Sequence, residues 1–101
     1  MISRHWRALA HRNRAKDYVE HLRCDTFPAL QDLNGFIDAS VLSRDVTEGV
    51  EFLVVTRWAS LEAIASFAGP QLEAAVVPAE AAAMMIEYDH RVKHFEVLDW
   101  R

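Results

Sequence analysis

Residues 50–69 read VEFLVVTRWASLEAIASFAG, and the change of hydrophobic period inside this stretch decides the fold. Over 50–58 apolar residues occupy both phases of a two-residue alternation, which predicts a well-buried strand. Ser60 suits a helix N-cap, an apolar helical face begins at Leu61, and Gly69 is a typical stop signal. The stretch therefore predicts a strand that passes directly into a helix.

The rest of the chain extends this pattern into a complete α+β domain. The element order is strand, helix, strand, strand, helix, strand, which is the ferredoxin-like βαββαβ arrangement with helices on one face of a four-stranded antiparallel sheet. The predicted elements are a strand over 2–10, a helix from about Asn13 through Leu22 that Thr26-Phe27-Pro28 interrupts before a further turn, strands over 36–46 and 50–58, a helix from Leu61 to Ala68, a short helix from Pro78 holding Ala81, Ala82 and Met85, and a strand over 87–98.

The two middle strands carry apolar residues on both faces. Helices can cover only one face of a sheet, so a second copy of the sheet in a homodimer is the simplest cover for the other. The alternative is a monomer that leaves a few apolar residues exposed. The predicted sets are Val50, Phe52, Val54 and Trp58 against Leu53 and Val55 in the third strand, and Phe36 and Leu42 against Ile37, Ala39 and Val41 in the second.

Length, charge and cysteine content restrict the class of protein. The 101 residues suit one domain spanning 1–101. The net charge of −4 argues against a general nucleic-acid binder, which usually has a strongly basic face. Cys24 is the only cysteine, and no apolar run resembles a signal peptide or spans a membrane. We therefore expect a cytoplasmic protein with neither a membrane nor a nucleic-acid partner.

Several segments, in the right order along the chain, resemble the antibiotic biosynthesis monooxygenase (ABM) family. The resemblance implies a dimeric α+β barrel of two ferredoxin-like subunits. It also implies one of two activities, because some members oxidise polycyclic aromatic phenols to quinones with molecular oxygen alone, and others degrade haem. The segments are Asn34-Gly35-Phe36, Trp58 through Gly69, Ala75-Val76-Val77-Pro78, and Val92 through Val97.

The haem-degrading branch of the family has features that this chain lacks. Its members use an asparagine in the first strand, a tryptophan in the second helix and a histidine ligand about ten residues later. Here Phe67 stands where we place the tryptophan, residues 74–77 read AAVV, and the first strand has no asparagine. We therefore expect no haem and no other cofactor.

Three histidines are candidate catalytic groups. Oxygenation without a cofactor requires removal of a proton from an electron-rich phenol, and histidine suits this because its ordinary pKa is about 6.5. His94 and His90 fall on one face of the predicted last strand, and His5 on the neighbouring first strand. We expect one of them, with His94 preferred, to face a pocket between sheet and helices. The alternative is a structural histidine bonded to backbone or to a carboxylate such as Glu96 or Glu51.

No metal site is expected in this chain, which has neither a Cys-x-x-Cys nor a His-Glu-x-x-His motif. At about 3.3 Å per residue, the backbones of His90 and His94 lie roughly 13 Å apart. One ion cannot bridge that distance with ligand bonds of about 2 Å.

Aromatic side chains are candidates for substrate binding. Trp58, Trp6, Tyr18 and Phe67 are positioned to line an apolar pocket for a flat ligand, although core or dimer packing explains each of them singly. Arg57 and Arg4 are candidates to neutralise an anionic ligand, with a surface role as the alternative for each.

The leading functional hypothesis is a cofactor-independent monooxygenase acting on a small aromatic or polyketide-like compound. The first alternative is a non-catalytic domain that binds a small ligand or serves as a structural dimer. The second is an isomerase or decarboxylase of the same barrel type, which transfers protons without oxygen. Fold alone cannot separate these functions.

Overall fold

The chain folds as an antiparallel sheet with helices packed on one face. The computed structural model describes all 101 residues. The elements are strands β1 (Ile2–Ala10), β2 (Phe36–Val46), β3 (Gly49–Trp58), β4 (Met85–Tyr88) and β5 (Lys93–Glu96), and helices α1 (Ala15–His21), α2 (Phe27–Gln31), α3 (Leu61–Ala68) and α4 (Ala79–Ala82), with a 3-10 turn at Arg12–Arg14 and a π-helical segment at Leu22–Thr26. The strand order is β2-β3-β1, with β4 and β5 both pairing with the other side of β1. The predicted α+β ferredoxin-like fold is confirmed.

The even-numbered residues of β1 and β3 face the helices and form most of the core. Ala8 of β1 pairs with Phe52 of β3, and both are buried against Tyr18 of α1. At the other end of the sheet, fully buried Trp58 packs with Ile64 of α3 in a second apolar cluster. The strand-to-helix passage between them is as predicted, since the Ser60 side chain accepts a hydrogen bond from the Ala63 backbone N–H at 3.2 Å.

The opposite face of the sheet is open. Leu42 and Phe95 are each about half exposed there, with relative exposures of 51% and 50%. Leu53 and Val55 of β3 share this face and are partly buried. The homodimer predicted to cover this face stays a prediction. The same face carries ion pairs of Glu51 with Arg7 and Arg44, and of Asp38 with Arg57.

A bulge changes which residues of β2 share a face. The pairing with β3 shifts between Phe36 and Asp38, so that Ile37 is the additional residue. Phe36 packs edge-on against Trp58 on the helix side, with ring centroids 5.3 Å apart. Leu42 lies on the open face, so the prediction that Phe36 and Leu42 share a side is wrong. A bulge inverts the alternation that a regular strand would keep.

The predicted last strand over 87–98 is two short strands with a break between them. Trp6 and Arg7 of β1 lie opposite the four residues 89–92, because Ala8 pairs with Tyr88 and His5 pairs with Lys93. Two surplus residues therefore leave the sheet. The predicted placement of Met85 in the preceding helix is also wrong, because this residue begins β4.

The first helical region is continuous rather than interrupted. The π-helical segment joins α1 to α2 with helical backbone angles at Thr26, and Pro28 lies in the first turn of α2. The wider π-helical turn accommodates the proline. Pro28 then stands in the first turn of α2, where its lack of a backbone N–H costs no helical hydrogen bond. Asn13 lies within the 3-10 turn and does not cap α1, contrary to prediction. None of the helices has the length and apolar character needed to cross a membrane.

Candidate functional site

A mostly apolar cavity of about 70 Å³ lies between the sheet and its helices. Strands β1 and β3 form its floor, the α1–α2 region forms one wall, and the segment around residues 76–78 forms another. Its aromatic lining consists of Trp6, Tyr18, Phe27 and Phe67. Few of the lining residues have polar side chains. Two of these are Arg4, whose guanidinium donates hydrogen bonds, and His21, whose ring can accept a proton on one nitrogen.

Arg4 is a buried cation with no carboxylate partner. Its relative exposure is 4%, and no acidic oxygen lies within ion-pair distance. Its guanidinium donates hydrogen bonds to the backbone oxygens of Leu72 at 2.6 Å and Ala74 at 2.9 Å. Burial lowers the pKa of Arg4 to about 10. A charge held in an apolar wall at this cost is suited to meet an anion from the cavity.

His94 contacts Arg4 but is not itself among the residues that line the cavity. The two residues are cross-strand partners, and Arg4 Nη1 lies 2.8 Å from His94 Nε2. Because a guanidinium can only donate, His94 Nε2 accepts this hydrogen bond and its ring is neutral. Burial and the charge of Arg4 both lower the pKa of His94. The geometry thus assigns His94 an orienting contact with Arg4, and its Nε2 is already occupied.

His21 lies at the α1 side of the cavity and is also buried, with a relative exposure of 9%. Its Nδ1 lies 3.1 Å from a carboxylate oxygen of Glu80 and 3.4 Å from one of Asp25. Its Nε2 is buried and has no hydrogen-bond partner. One histidine nitrogen is therefore held by carboxylates while the other is unused.

Of the aromatic residues predicted to bind substrate, three line the cavity and one does not. Trp6 donates a hydrogen bond from Nε1 to the Asp89 backbone oxygen at 2.7 Å, which fixes its ring. Tyr18 is buried, and burial raises the pKa of its phenol. The Arg4 guanidinium lies 5.7 Å from the centroid of the Phe67 ring. Trp58 lies behind the lining, where its Nε1 bonds to Thr56 Oγ1.

Solved structures provide the comparison for this fold and cavity. A proposed antibiotic biosynthesis monooxygenase from Bacillus cereus superposes with a TM-score of 0.66 at 22% identity, covering 99% of this chain and 93% of that one. A second, from Deinococcus radiodurans, gives a TM-score of 0.66 at 15% identity, covering 100% and 96%. The chain has the ABM fold. The sequence resemblance is thereby confirmed as a likeness of structure, although no family profile and no curated protein matches the chain.

Another solved structure with the ABM fold is a haem degrader. MhuD from Mycobacterium tuberculosis, with two haems bound in its active site, gives a TM-score of 0.62 at 22% identity, covering 100% of this chain and 99% of that one. Here Phe67, Val76 and Val77 line the cavity and offer no atom that ligates iron. His21 does offer a nitrogen, but a cavity of about 70 Å³ would have to open far more for a porphyrin than for a small aromatic compound. The residues of this ABM fold do not fit haem.

Two of the predicted catalytic histidines lie away from the cavity. His90 is in the break between β4 and β5, outside any strand, with its ring 4.9 Å from that of Tyr88. The predicted strand position of His90 is wrong because the sheet is interrupted there. His5 lies on the open face of the ABM sheet, bonded to Ser3 Oγ at 2.8 Å and beside Phe95. Burial lowers the pKa of His5. Neither residue lines the helix-side cavity.

Sequence reasoning overlooked His21 and misjudged Arg4. The spacing of His21 and Asp25 at i and i+4 on an apolar helix was an available signal, but the contact with Glu80 depends on tertiary structure. The surface role considered for Arg4 is wrong, because the residue faces the helices. Arg57 does fit the alternative, since it pairs with Asp38 through two hydrogen bonds.

A cluster of three polar side chains is built around His21. His21, Asp25 and Glu80 bring one nitrogen and two carboxylate oxygens within 4.8 Å of one another. Both carboxylate side chains are more than half exposed, and their contacts with the histidine Nδ1 account for the arrangement.

Proposed function

We propose that this chain is a cofactor-independent monooxygenase that oxidises a small aromatic phenol or polyketide-like compound. The observation that carries the proposal is the buried, carboxylate-free guanidinium of Arg4 in the wall of an aromatic-lined cavity. A phenolate offers both the anion that this cation lacks and a flat apolar body that suits aromatic walls. The proposal accords with the names of the structures that share this fold.

The proposed reaction needs only molecular oxygen besides the substrate. A hydroxyanthrone loses a proton to give an electron-rich anion, which Arg4 stabilises. The anion is oxidised at its ring methylene, where one oxygen atom becomes the new carbonyl and the other leaves as water. The methylene loses two hydrogens and the substrate four electrons, so carbon oxidation and oxygen reduction balance. A dry, apolar pocket favours such chemistry because it excludes proton donors that would quench the anion.

The cavity volume limits the substrate and predicts a movement. About 70 Å³ is below the roughly 300–1,000 Å³ of pockets that enclose drug-sized ligands. A three-ring substrate must therefore displace part of the wall. The segment around Val76 and Val77 is the wall with no regular secondary structure, so we expect it to move on binding.

A second copy of the chain is the partner that suits the open sheet face. Leu42 and Phe95 remain about half exposed there, while Glu51 and Asp38 of the same face are paired within the chain with Arg7 and Arg57. Two such faces can approach with these ion pairs intact. We propose a homodimer on this basis, in a cytoplasmic protein.

The test is oxygen consumption by the purified protein with a hydroxyanthrone. We expect one oxygen molecule consumed for each quinone formed, unchanged by a metal chelator and without added flavin. His94→Ala and Arg4→Met should each reduce turnover, since they disturb the anion site, whereas Arg23→Met, at an exposed arginine, should not. Tight anaerobic binding without turnover would instead identify a non-catalytic binding protein. Turnover without oxygen would identify an isomerase or decarboxylase, and a haem-dependent absorption band would contradict the cofactor-free proposal.

A further inference from the structure

His21, which lines the cavity, carries a buried side-chain atom without a hydrogen-bond partner. Its Nδ1 lies 3.1 Å from Glu80 Oε1, and because an ionised carboxylate only accepts, Nδ1 carries the ring proton. Nε2 then has a free lone pair and is a hydrogen-bond acceptor. That atom is buried without a partner, although leaving a buried acceptor unpaired destabilises the folded state.

The surroundings of His21 explain why such an arrangement persists. The imidazole stacks over the Tyr18 ring with an interplanar angle of 23°, which restrains its orientation. Glu80 and Asp25 are the charged groups that face it, from α4 and the π-helical segment respectively. Both carboxylates lie within 3.4 Å of Nδ1, so they hold this nitrogen and leave Nε2 on the other side of the ring. An oriented histidine with a carboxylate on one nitrogen and an unused second nitrogen is the arrangement of a general base.

We propose that His21 is the catalytic base of this cavity and that Glu80 is its positioning residue. The inference rests on the proposed function and adds a requirement on the substrate, which must present an ionisable hydroxyl, as a phenol or enol does, to Nε2. In the step, the substrate O–H bond breaks, the proton forms an N–H bond on Nε2, and the electron pair stays on oxygen. The resulting anion lies in the cavity lined by Arg4, and the imidazolium faces Glu80 and Asp25.

This assignment replaces His94 in the role of proton acceptor. His94 Nε2 already accepts a hydrogen bond from Arg4, and the positive charge beside it opposes protonation. His21 instead has two carboxylates beside its Nδ1 and a free Nε2. The two histidines therefore have different roles: His94 orients the anion-binding guanidinium of Arg4, and His21 accepts the substrate proton.

A coloured phenol tests the step without requiring turnover. We would titrate the full chain with 3-nitrophenol, whose hydroxyl stays protonated in neutral water, and record its spectrum together with calorimetry in two buffers. The wild-type protein should give a phenolate spectrum with no proton released to buffer, because His21 keeps the proton. His21→Asn should bind the probe as neutral phenol, or as phenolate with one proton released. Identical spectra and proton counts in both proteins would overturn the assignment.

Kinetics with a hydroxyanthrone supply an independent readout. At neutral pH, His21→Asn should reduce kcat/KM by about 100-fold or more, the scale of general-base catalysis. The loss should shrink at alkaline pH, where the substrate ionises without help, and a purely structural defect would not recover in this way. A pH-independent loss would therefore count against the base assignment.

Variants at Glu80 keep the test valid if His21→Asn folds poorly. Glu80 has an exposed side chain, so Glu80→Gln should fold normally and reduce turnover only in part, because Asp25 still faces Nδ1. Adding Asp25→Asn should deepen the loss, while Glu62→Gln, in the first turn of α3, is the matched control. No effect of the double variant would overturn the positioning role. Proton capture from 3-nitrophenol without any oxygen consumption would keep His21 as base and reject the monooxygenase.

Discussion

Replacing Arg4 with methionine separates a ligand-binding role from a structural one. Methionine is apolar and matches the aliphatic part of arginine, so it removes the charge and the three hydrogen bonds while keeping the packing of that part. If the cation only stabilises the fold, its loss should chiefly lower the free energy of unfolding. If the cation binds an anion, its loss should chiefly weaken ligand binding.

The stability change follows from two opposing contributions. Burial lowers the pKa of Arg4 from the ordinary arginine value to about 10, and at about 1.4 kcal/mol per pKa unit the charge costs the folded state about 3.5 kcal/mol. Methionine removes that cost but leaves the Leu72 and Ala74 backbone oxygens unpaired, at about 1–3 kcal/mol each. The free energy of unfolding should therefore fall by no more than about 3 kcal/mol.

Loss of the guanidinium should affect phenolate binding more strongly than it affects the free energy of unfolding. A hydrogen bond to a charged group contributes about 1.5–3 kcal/mol, so loss of the guanidinium should weaken phenolate binding about 10- to 100-fold. Denaturant unfolding and anaerobic calorimetry measure the two quantities on the same protein. Arg23→Met, at an exposed ion pair, should leave both nearly unchanged.

Two results would refute this reasoning. Unchanged phenolate affinity in Arg4→Met would mean that the guanidinium does not meet the ligand. A loss of unfolding free energy above about 4 kcal/mol would reach the range seen when one partner of a buried ion pair is removed, and would make Arg4 a structural residue.

Three further predictions address the sheet. Two arginines bond to Glu51 and lower its pKa. Its contribution to the free energy of unfolding is therefore complete above the ordinary glutamate pKa and is lost as pH falls through the lowered pKa. Acid titration of unfolding should show this loss in wild type and not in Glu51→Gln. Leu53→Glu should convert the dimer to monomer in light scattering, whereas Leu61→Glu, on the exposed side of α3, should not; a wild-type monomer would contradict the dimer. Trp58→Ala should cost about 3–5 kcal/mol of unfolding free energy, but Trp58→Phe should retain phenolate affinity, since this side chain lies behind the cavity.

The predictable part of the fold comes from local patterns. The passage from β3 into α3 depends on the alternation up to Trp58, the Ser60 cap and Gly69, which adopts a φ of 75° at the helix end. Each of these is a property of a few neighbouring residues, so the sequence contains the information directly. The element order follows, and with it the ferredoxin-like arrangement.

The parts that could not be predicted depend on contacts between distant segments. The bulge at Ile37 turns Leu42 toward the open face, and nothing in the alternation of β2 marks one residue as surplus. The burial of Arg4 depends on two carbonyls some 70 positions away along the chain. The orientation of His21 depends on Glu80, which a single sequence does not place beside it. Composition therefore suggested the candidate residue types, while tertiary contacts selected among the individual residues.

The break in the last strand and the burial of Arg4 are two aspects of one arrangement. Where residues 89–92 leave β1, their backbone pairs with the segment before α4, since Ala75 N–H donates to the His90 oxygen at 2.9 Å and Val92 N–H donates to the Glu73 oxygen at 2.8 Å. This pairing brings the carbonyls of Leu72 and Ala74 over the guanidinium. If β4 ran on regularly into β5, more backbone hydrogen bonds of the sheet would form, but Arg4 would lose its two carbonyl acceptors. A buried cation without acceptors would strongly destabilise the fold. The irregular strand is therefore best understood as the support of the anion site.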